Sequence, residues 1–192
     1  MTHVRITAES DIPLVGSLYF GIIDRGTSLL QVRPSCGCNL NCPFCSVDAG
    51  PCSTTRATSY EVELDYLLSA VEEIAPFKGT GVECHIDSPG EPLMYSRMPE
   101  LVAALKSIDA VSVVSLQTNG TLLDEKKITA LADAGLDRVN LSLHAIDPAL
   151  ARTLAGVDWY DIDKVCGAAK AVVASSMDLL IAPVFMPGIN DA

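Results

Sequence analysis

Residues 111–144 read VSVVSLQTNGTLLDEKKITALADAGLDRVNLSLH, and their periodicity changes twice. Val111–Thr118 is a short run rich in β-branched residues, ended by the turn signal Thr118-Asn119-Gly120. Ile128, Leu131 and Ala132 then recur at helical spacing, opened by Asp124 as a cap and stopped at Gly135. Arg138–His144 returns to a strand-like run. Strand, helix, strand with short links is a βαβ unit, and such units build parallel sheets.

The same alternation runs outward from this unit. Leu29–Arg33, Val82–Asp87 and Leu179–Phe185 are further strand-like runs. Leu64, Leu67, Leu68, Val71 and Ile74 form a helical stripe, and Thr58 with Glu61 three residues on is a capping-box pattern expected to open it. Met98, Leu101, Val102 and Leu105 form another, and Ile162, Val165, Cys166, Ala169, Val172 and Val173 a fourth. The expected fold class is α/β. Residues 1–27 read as an N-terminal extension with an extra strand or hairpin in 16–27, and residues 28–192 as the core.

Strands buried on both faces of a parallel sheet should be apolar throughout. Here one parity is polar: Gln31 and Arg33; Glu83, His85 and Asp87; Ser115 and Gln117; Asn140, Ser142 and His144. The other parity, such as Val82, Cys84 and Ile86, suits a helix layer. A packed barrel interior is filled by Val, Ile and Leu. The pattern therefore predicts a curved sheet whose concave face is a polar pocket, with His85, Asp87 and His144 as candidates to face a substrate. For His144 the first expectation is a hydrogen bond within the turn before Asp147.

The chain has 192 residues, 49% of them apolar and 19% charged, enough for one domain with a real core. It is short for an eight-unit barrel, which runs to about 250 residues. A net charge of −11 opposes binding to a phosphate backbone by this segment alone. No stretch approaches the roughly 18 apolar residues of a membrane span. Leu14–Ile23 follows Glu9 and Asp11 rather than a basic leader, so it does not read as a secretory signal. The expected location is cytoplasmic and reducing, where clustered cysteines more often hold metal than pair.

The cluster follows the first core strand: Cys36-Gly-Cys38-Asn-Leu-Asn-Cys42-Pro-Phe-Cys45. Cys38, Cys42 and Cys45 can wrap a loop around three corners of an iron–sulfur cube, leaving one iron open. Spacing alone leaves open a zinc knuckle that also uses Cys36, and Cys36 as a fourth cluster ligand or a bystander.

These residues resemble the radical SAM superfamily. Cys38-Asn-Leu-Asn-Cys42-Pro-Phe-Cys45 is similar to its C-x3-C-x-aromatic-C loop, with Phe44 in the aromatic slot. Gly90-Glu91-Pro92 resembles its G-G-E-P motif with Pro89 in place of the first glycine, and Thr118-Asn119-Gly120 and Ser142-Leu143-His144-Ala145 resemble further members of the set. Phe20–Pro34, Ser46–Pro51 and Ala182–Asp191 are similar to uncharacterised archaeal proteins of that superfamily, longer members of which carry a C-terminal TRAM-type barrel associated with RNA. The resemblance implies a partial (β/α) barrel with five βα-type strands, the sixth missing at the C-terminus.

It also implies cofactors. Cys38, Cys42 and Cys45 would hold a 4Fe–4S cluster, and Phe44, Gly90, Glu91, Pro92, Thr118, Asn119 and Ser142 would contact S-adenosylmethionine. Reductive cleavage would give a 5′-deoxyadenosyl radical that takes hydrogen from an unidentified substrate, with no protein acid or base needed for the first step. The implied partners are an external electron donor, a substrate (RNA by analogy with the longer relatives alone), and a C-terminal segment or partner chain completing the barrel. The alternative is a non-catalytic zinc or iron–sulfur scaffold, or an inactive fragment of a longer protein. The strand Leu180–Phe185 would then have an open edge with unpaired N–H and C=O groups.

Overall fold

The computed structural model describes residues 2–56 and 58–191; Met1, Ala57 and Ala192, the outer limits of the two expected segments among them, lie outside the described residues. The strands are β1 (Thr2–Ile6), β2 (Gly21–Asp24), β3 (Leu29–Arg33), β4 (Thr58–Val62), β5 (Val82–Ile86), β6 (Val111–Thr118), β7 (Arg138–Leu141) and β8 (Asp178–Ile181). The helices are α1 (Leu64–Ile74), α2 (Met98–Lys106), α3 (Glu125–Asp133), α4 (Pro148–Ala155) and α5 (Ile162–Val173).

Six strands form the main sheet in the order β2-β3-β5-β6-β7-β8. β2, a single strand within residues 16–27, is antiparallel to the core strand β3, and the other five strands run parallel. Helices between successive parallel strands pack on one face of this sheet, giving a partial (β/α) barrel open between β2 and β8 among the described residues. The core lies between sheet and helices: Val82, Cys84, Ile86, Val114, Leu116 and Val139 meet Leu67, Val71, Leu101, Leu105, Leu131 and Val172, all fully buried. A second cluster of Leu40, Leu141, Ala151, Ala155, Tyr160, Ile162 and Val165 sits under the cysteine loop, with Cys38 and Cys42 packed against it.

Four details depart from the reading of the sequence. Thr58 and Glu61 do not cap a helix. They lie in β4, which pairs in parallel with β1 from Thr2↔Thr58 to Ile6↔Val62, and α1 starts only after Glu63. The partner strand is 56 residues away, so local cap chemistry loses to a pairing it cannot register. α4 was not expected. It is opened by Asp147, whose side chain accepts from Leu150 N, with Pro148 at its first position, and its buried face is the small set Ala151, Leu154 and Ala155. β7 ends at Leu141 rather than His144, and β8 at Ile181 rather than Phe185, because the chain leaves the ladder there. His144 bonds across to 184–190 instead of within its own turn: Nδ1 accepts from Val184 N at 3.0 Å, and its carbonyl accepts from Asn190 Nδ2 at 2.8 Å.

The polar parity does gather on one face, cross-linked between strands. Arg33 donates to both oxygens of Asp87, at 3.0 and 2.8 Å, and Gln31 donates to the same carboxylate. Glu83 accepts from Ser115 Oγ at 2.6 Å and pairs with Arg138, while His85 Nδ1 lies 2.7 Å from Ser115 Oγ. Gln117 donates to Ser142 Oγ at 2.7 Å. These groups are half-buried, and Ser115 is fully buried, so each needs its partner.

Register slips by one residue where β5 meets β6, between Val82 and Glu83. On the opposite edge of β6, beside the start of β7, the Asp137 carboxylate accepts from Val114 N at 2.7 Å and from Lys106 Nζ at 2.9 Å. Asp137→Ala leaves a strand amide unpaired, and we expect chemical denaturation to show a loss of about 1–3 kcal/mol; a loss below about 0.5 kcal/mol would mean water replaces the carboxylate.

Candidate metal and cofactor site

The cysteine loop follows β3 and crosses the carboxyl ends of the parallel strands, the end where barrel ligands bind. Backbone bonds fix its course. Cys36 N donates to Tyr60 O at 3.0 Å, Gly37 N to Pro89 O at 3.0 Å, Cys38 N to Ala49 O at 2.9 Å and Asn41 N to Ala155 O at 2.9 Å. Each of these acceptors lies in a different loop or element, so the path of the loop is set by main chain more than by its side chains.

Two glycines make that possible. Gly90 has φ +138°, and a Cβ there would stand 1.9 Å from Gly37 O. Glu91 N also donates to Gly37 O, at 2.8 Å, so the two segments zip together. The glycine expected to admit a ligand thus first admits the cysteine loop, and Pro89 keeps its place by accepting from Gly37. Gly156, at the end of α4 with φ +66°, would put a Cβ 1.9 Å from Asn41 O. It was not singled out from the sequence, where it signals only a helix stop.

Over this loop lies a cavity of about 300 Å³. Cys38, Cys42, Phe44, Cys45, Gly90, Thr118, Asn119 and Ser142, all named from the sequence, are among the residues that line it. Ser88, Leu154 and Tyr160 line it too and carried no sequence signal. Phe44 meets His144 edge-on, ring centroids 5.0 Å apart. Cys36 is not a lining residue; its sulfur accepts from Tyr60 N at 3.0 Å.

Glu91 and Pro92 are buried and line none of it. The Glu91 carboxylate accepts from Leu93 N at 3.0 Å, Thr118 Oγ1 at 2.7 Å and Asn119 N at 2.7 Å. Burial pushes its pKa up, and these three donors pull the other way. Glu91 therefore ties the end of β6 to the Gly90 turn, which leaves the Thr118 hydroxyl committed to it. Asn119 holds the loop from the other side, donating through Nδ2 to Asn39 Oδ1 at 2.9 Å and to Cys38 Sγ at 3.8 Å.

The thiols lie near enough to feel one another. Burial, then the charges of Cys38 and Cys45, pushes Cys42 up to about 11, and burial raises Cys38. Thiolates here require a bound cation, as metal ligands do. Among the described residues no three His, Cys, Asp or Glu side chains gather tightly enough to share a single metal ion. Tetrahedral zinc would need sulfurs about 4 Å apart. Three cysteines on one loop beside a cavity have the donor set of a cluster with a free corner.

Two expected outcomes follow from this geometry. Gly156→Ala forces the Asn41 carbonyl, and the loop with it, to move; we expect a loss of about 2–4 kcal/mol in denaturation and weakened iron loading, whereas Gly167→Ala, with open space at its Cβ position, should do neither. Burial lowers the pKa of His144 below its usual 6.5. The unfolded chain then binds the proton that the folded chain refuses, so stability falls as pH drops below 6.5. His144→Asn should flatten that limb in thermal melts; an unchanged limb would remove His144 from the account.

The comparisons with known proteins bear on the same region. Residues 32–192 match the family model of the Radical SAM superfamily. An uncharacterized protein of Methanocaldococcus jannaschii is 46% identical over 189 residues, covering 97% of this chain and 44% of that protein. A GTP 3′,8-cyclase of Chlorobaculum tepidum is 30% identical over 184 residues, covering 95% of this chain and 52% of that protein. The chain spans about half the length of the curated relatives it matches. Among solved structures, Streptococcus suis SuiB superposes with a TM-score of 0.66 at 22% identity, over 84% of this chain and 34% of that one. Native anSMEcpe with bound AdoMet superposes at 0.63 with 23% identity, over 80% and 42%. Among the described residues no helix is long and apolar enough to cross a membrane. With four motifs, the strand order and the family match in agreement, the chain belongs to the radical SAM superfamily, whose members use a 4Fe–4S cluster and S-adenosylmethionine.

Proposed function

We propose that this chain carries the radical-generating half of an enzyme, and that Cys38, Cys42 and Cys45 are its cluster ligands. One observation carries the reading: the three thiols edge a cavity of about 300 Å³ whose other walls include Gly90, Asn119 and Ser142. A purely structural metal loop has no need of an adjoining cavity. When bound, the reduced cluster supplies the electron that splits S-adenosylmethionine into methionine and a 5′-deoxyadenosyl radical.

The residues of this chain position and seclude. Gly90 offers main-chain groups to a ligand's polar atoms, Asn119 holds the cysteine loop as a positioning residue, and Phe44 offers a flat apolar face that suits adenine. Ser142 keeps its hydroxyl at the cavity, oriented by Gln117. Glu91 acts from beneath as a positioning residue. An external electron donor completes the reading, because the cleavage consumes one electron that the cluster must first receive. The polar face from Arg33 to Asn140 favours a hydrogen-bonding substrate over a lipid.

Anaerobic reconstitution with iron and sulfide tests the proposal. We expect a brown protein that releases 5′-deoxyadenosine when given S-adenosylmethionine and a reductant. Cys42→Ala should abolish release, and Cys166→Ala, in α5, should leave it unchanged. A colourless protein, or equal behaviour of the two variants, would overturn the ligand assignment in favour of the scaffold reading.

A further inference from the structure

The polar face of the sheet holds three linked side chains whose protons can be placed one by one. Glu83 and His85 lie in β5 and Ser115 in β6, with His85 opposite Ser115 in the ladder. Ser115 Oγ is 2.6 Å from Glu83 Oε1 and 2.7 Å from His85 Nδ1. Glu83 pairs with Arg138 and is therefore a carboxylate, which accepts and cannot donate. The Ser115 hydroxyl gives its only proton to Glu83. What remains on its oxygen is a lone pair, so His85 Nδ1 is the donor.

Burial lowers the pKa of His85 from its usual 6.5; Asp87 and Glu83 oppose the shift, and Arg138 and Arg33 assist it. The ring is then neutral at pH 7 with its one proton on Nδ1, and Nε2 carries a bare lone pair. Nε2 has no partner among the described residues. It is not enclosed either, since the buried unpaired side-chain atoms there are Arg56 Nη2 and Ser88 Oγ. The neighbours of His85 are already committed. Gln31, opposite it in β3, accepts from Arg25 and donates to Asp87, and Asp87 is held by Arg33. Gln117, two residues beyond Ser115 on the same face, lines the cysteine cavity. His85 therefore lies one row of the sheet, about 7 Å, beneath that edge of the cavity.

We propose that Glu83 and Ser115 fix His85 as a hydrogen-bond acceptor for the substrate, which presents an N–H or O–H group to Nε2. The inference rests on the cavity above being the S-adenosylmethionine site, which puts the substrate against this face. An anion or a bare carbonyl finds no donor at Nε2, whereas an alcohol, amine, amide or ring N–H finds its acceptor. Ser115 and Glu83 are positioning residues: they decide which ring nitrogen holds the proton.

Nitrogen NMR of the reconstituted, oxidised chain, isotopically labelled at histidine, reads each ring directly. The proton of His85 is expected on Nδ1 at pH 7, and that of His144, whose Nδ1 accepts from Val184 N, on Nε2. Ser115→Ala removes a hydroxyl and leaves the Glu83–Arg138 pair, so His85 should then populate both tautomers. Phenol, an O–H donor, is titrated against anisole, its methyl ether without that donor. Phenol at millimolar concentration is expected to shift the His85 Nε2 resonance and anisole to leave it in place, with or without S-adenosylmethionine. A proton on Nε2 in the wild type, or equal responses to the two probes, overturns the inference, as does an unchanged tautomer in Ser115→Ala. Loss of the phenol response once S-adenosylmethionine binds assigns His85 to the cofactor and overturns it too. A chain that binds no S-adenosylmethionine, yet gives the expected tautomer and probe responses, overturns the cofactor reading and leaves the His85 acceptor standing.

Discussion

The contact between Gly37 and Gly90 is the constraint on which the site depends. Two main chains meet there without a side chain between them, Gly37 N donating to Pro89 O and Gly37 O accepting from Glu91 N. A Cβ on Gly90 would fall inside the Gly37 carbonyl. Only this approach lets a loop from β3 lie across the end of β5, so that thiols and the Gly90 turn edge one cavity. Glu91 then extends the tie to β6 through Thr118 and Asn119. The carboxylate is spent on architecture, and that frees the main chain around it to face a ligand.

The sheet divides the labour by parity. Residues pointing to the helices make a dry core that includes Cys84, whose thiol burial pushes up to about 12, far from reactivity. Residues pointing the other way form the linked set Arg33–Asp87, Glu83–Arg138 and Gln117–Ser142. Such pairs add little to stability once desolvation is counted. A Val/Ile/Leu filling would have closed this face of the sheet.

Much of the fold was legible because it depends on short-range periodicity. β6 spans Val111–Thr118 as read, and the five parallel strands fall in the runs that the alternation marked out, β7 and β8 ending earlier than read. What failed depends on distance or on small residues. β1 and β4 define each other across 56 residues, and Thr58–Glu61 imitates a cap only when β1 is ignored. α4 packs through Ala151, Leu154 and Ala155, a single leucine among alanines that makes no hydrophobic stripe. In the site, residue types that carry chemistry announced themselves, whereas Gly156 under Asn41 and Gly37 against Gly90 matter through van der Waals approach. Those are properties of assembled surfaces, and no spacing rule encodes them.

The central claim is that three thiols on one loop grip a polynuclear iron–sulfur body and leave it one unligated corner. Metal and acid-labile sulfide analysis of anaerobically purified protein, paired with electron paramagnetic resonance before and after S-adenosylmethionine, addresses it directly. The account predicts about four irons and four sulfides per chain and a reduced-cluster signal that changes on addition. One zinc per chain with no sulfide, or a cluster signal indifferent to S-adenosylmethionine, would contradict it.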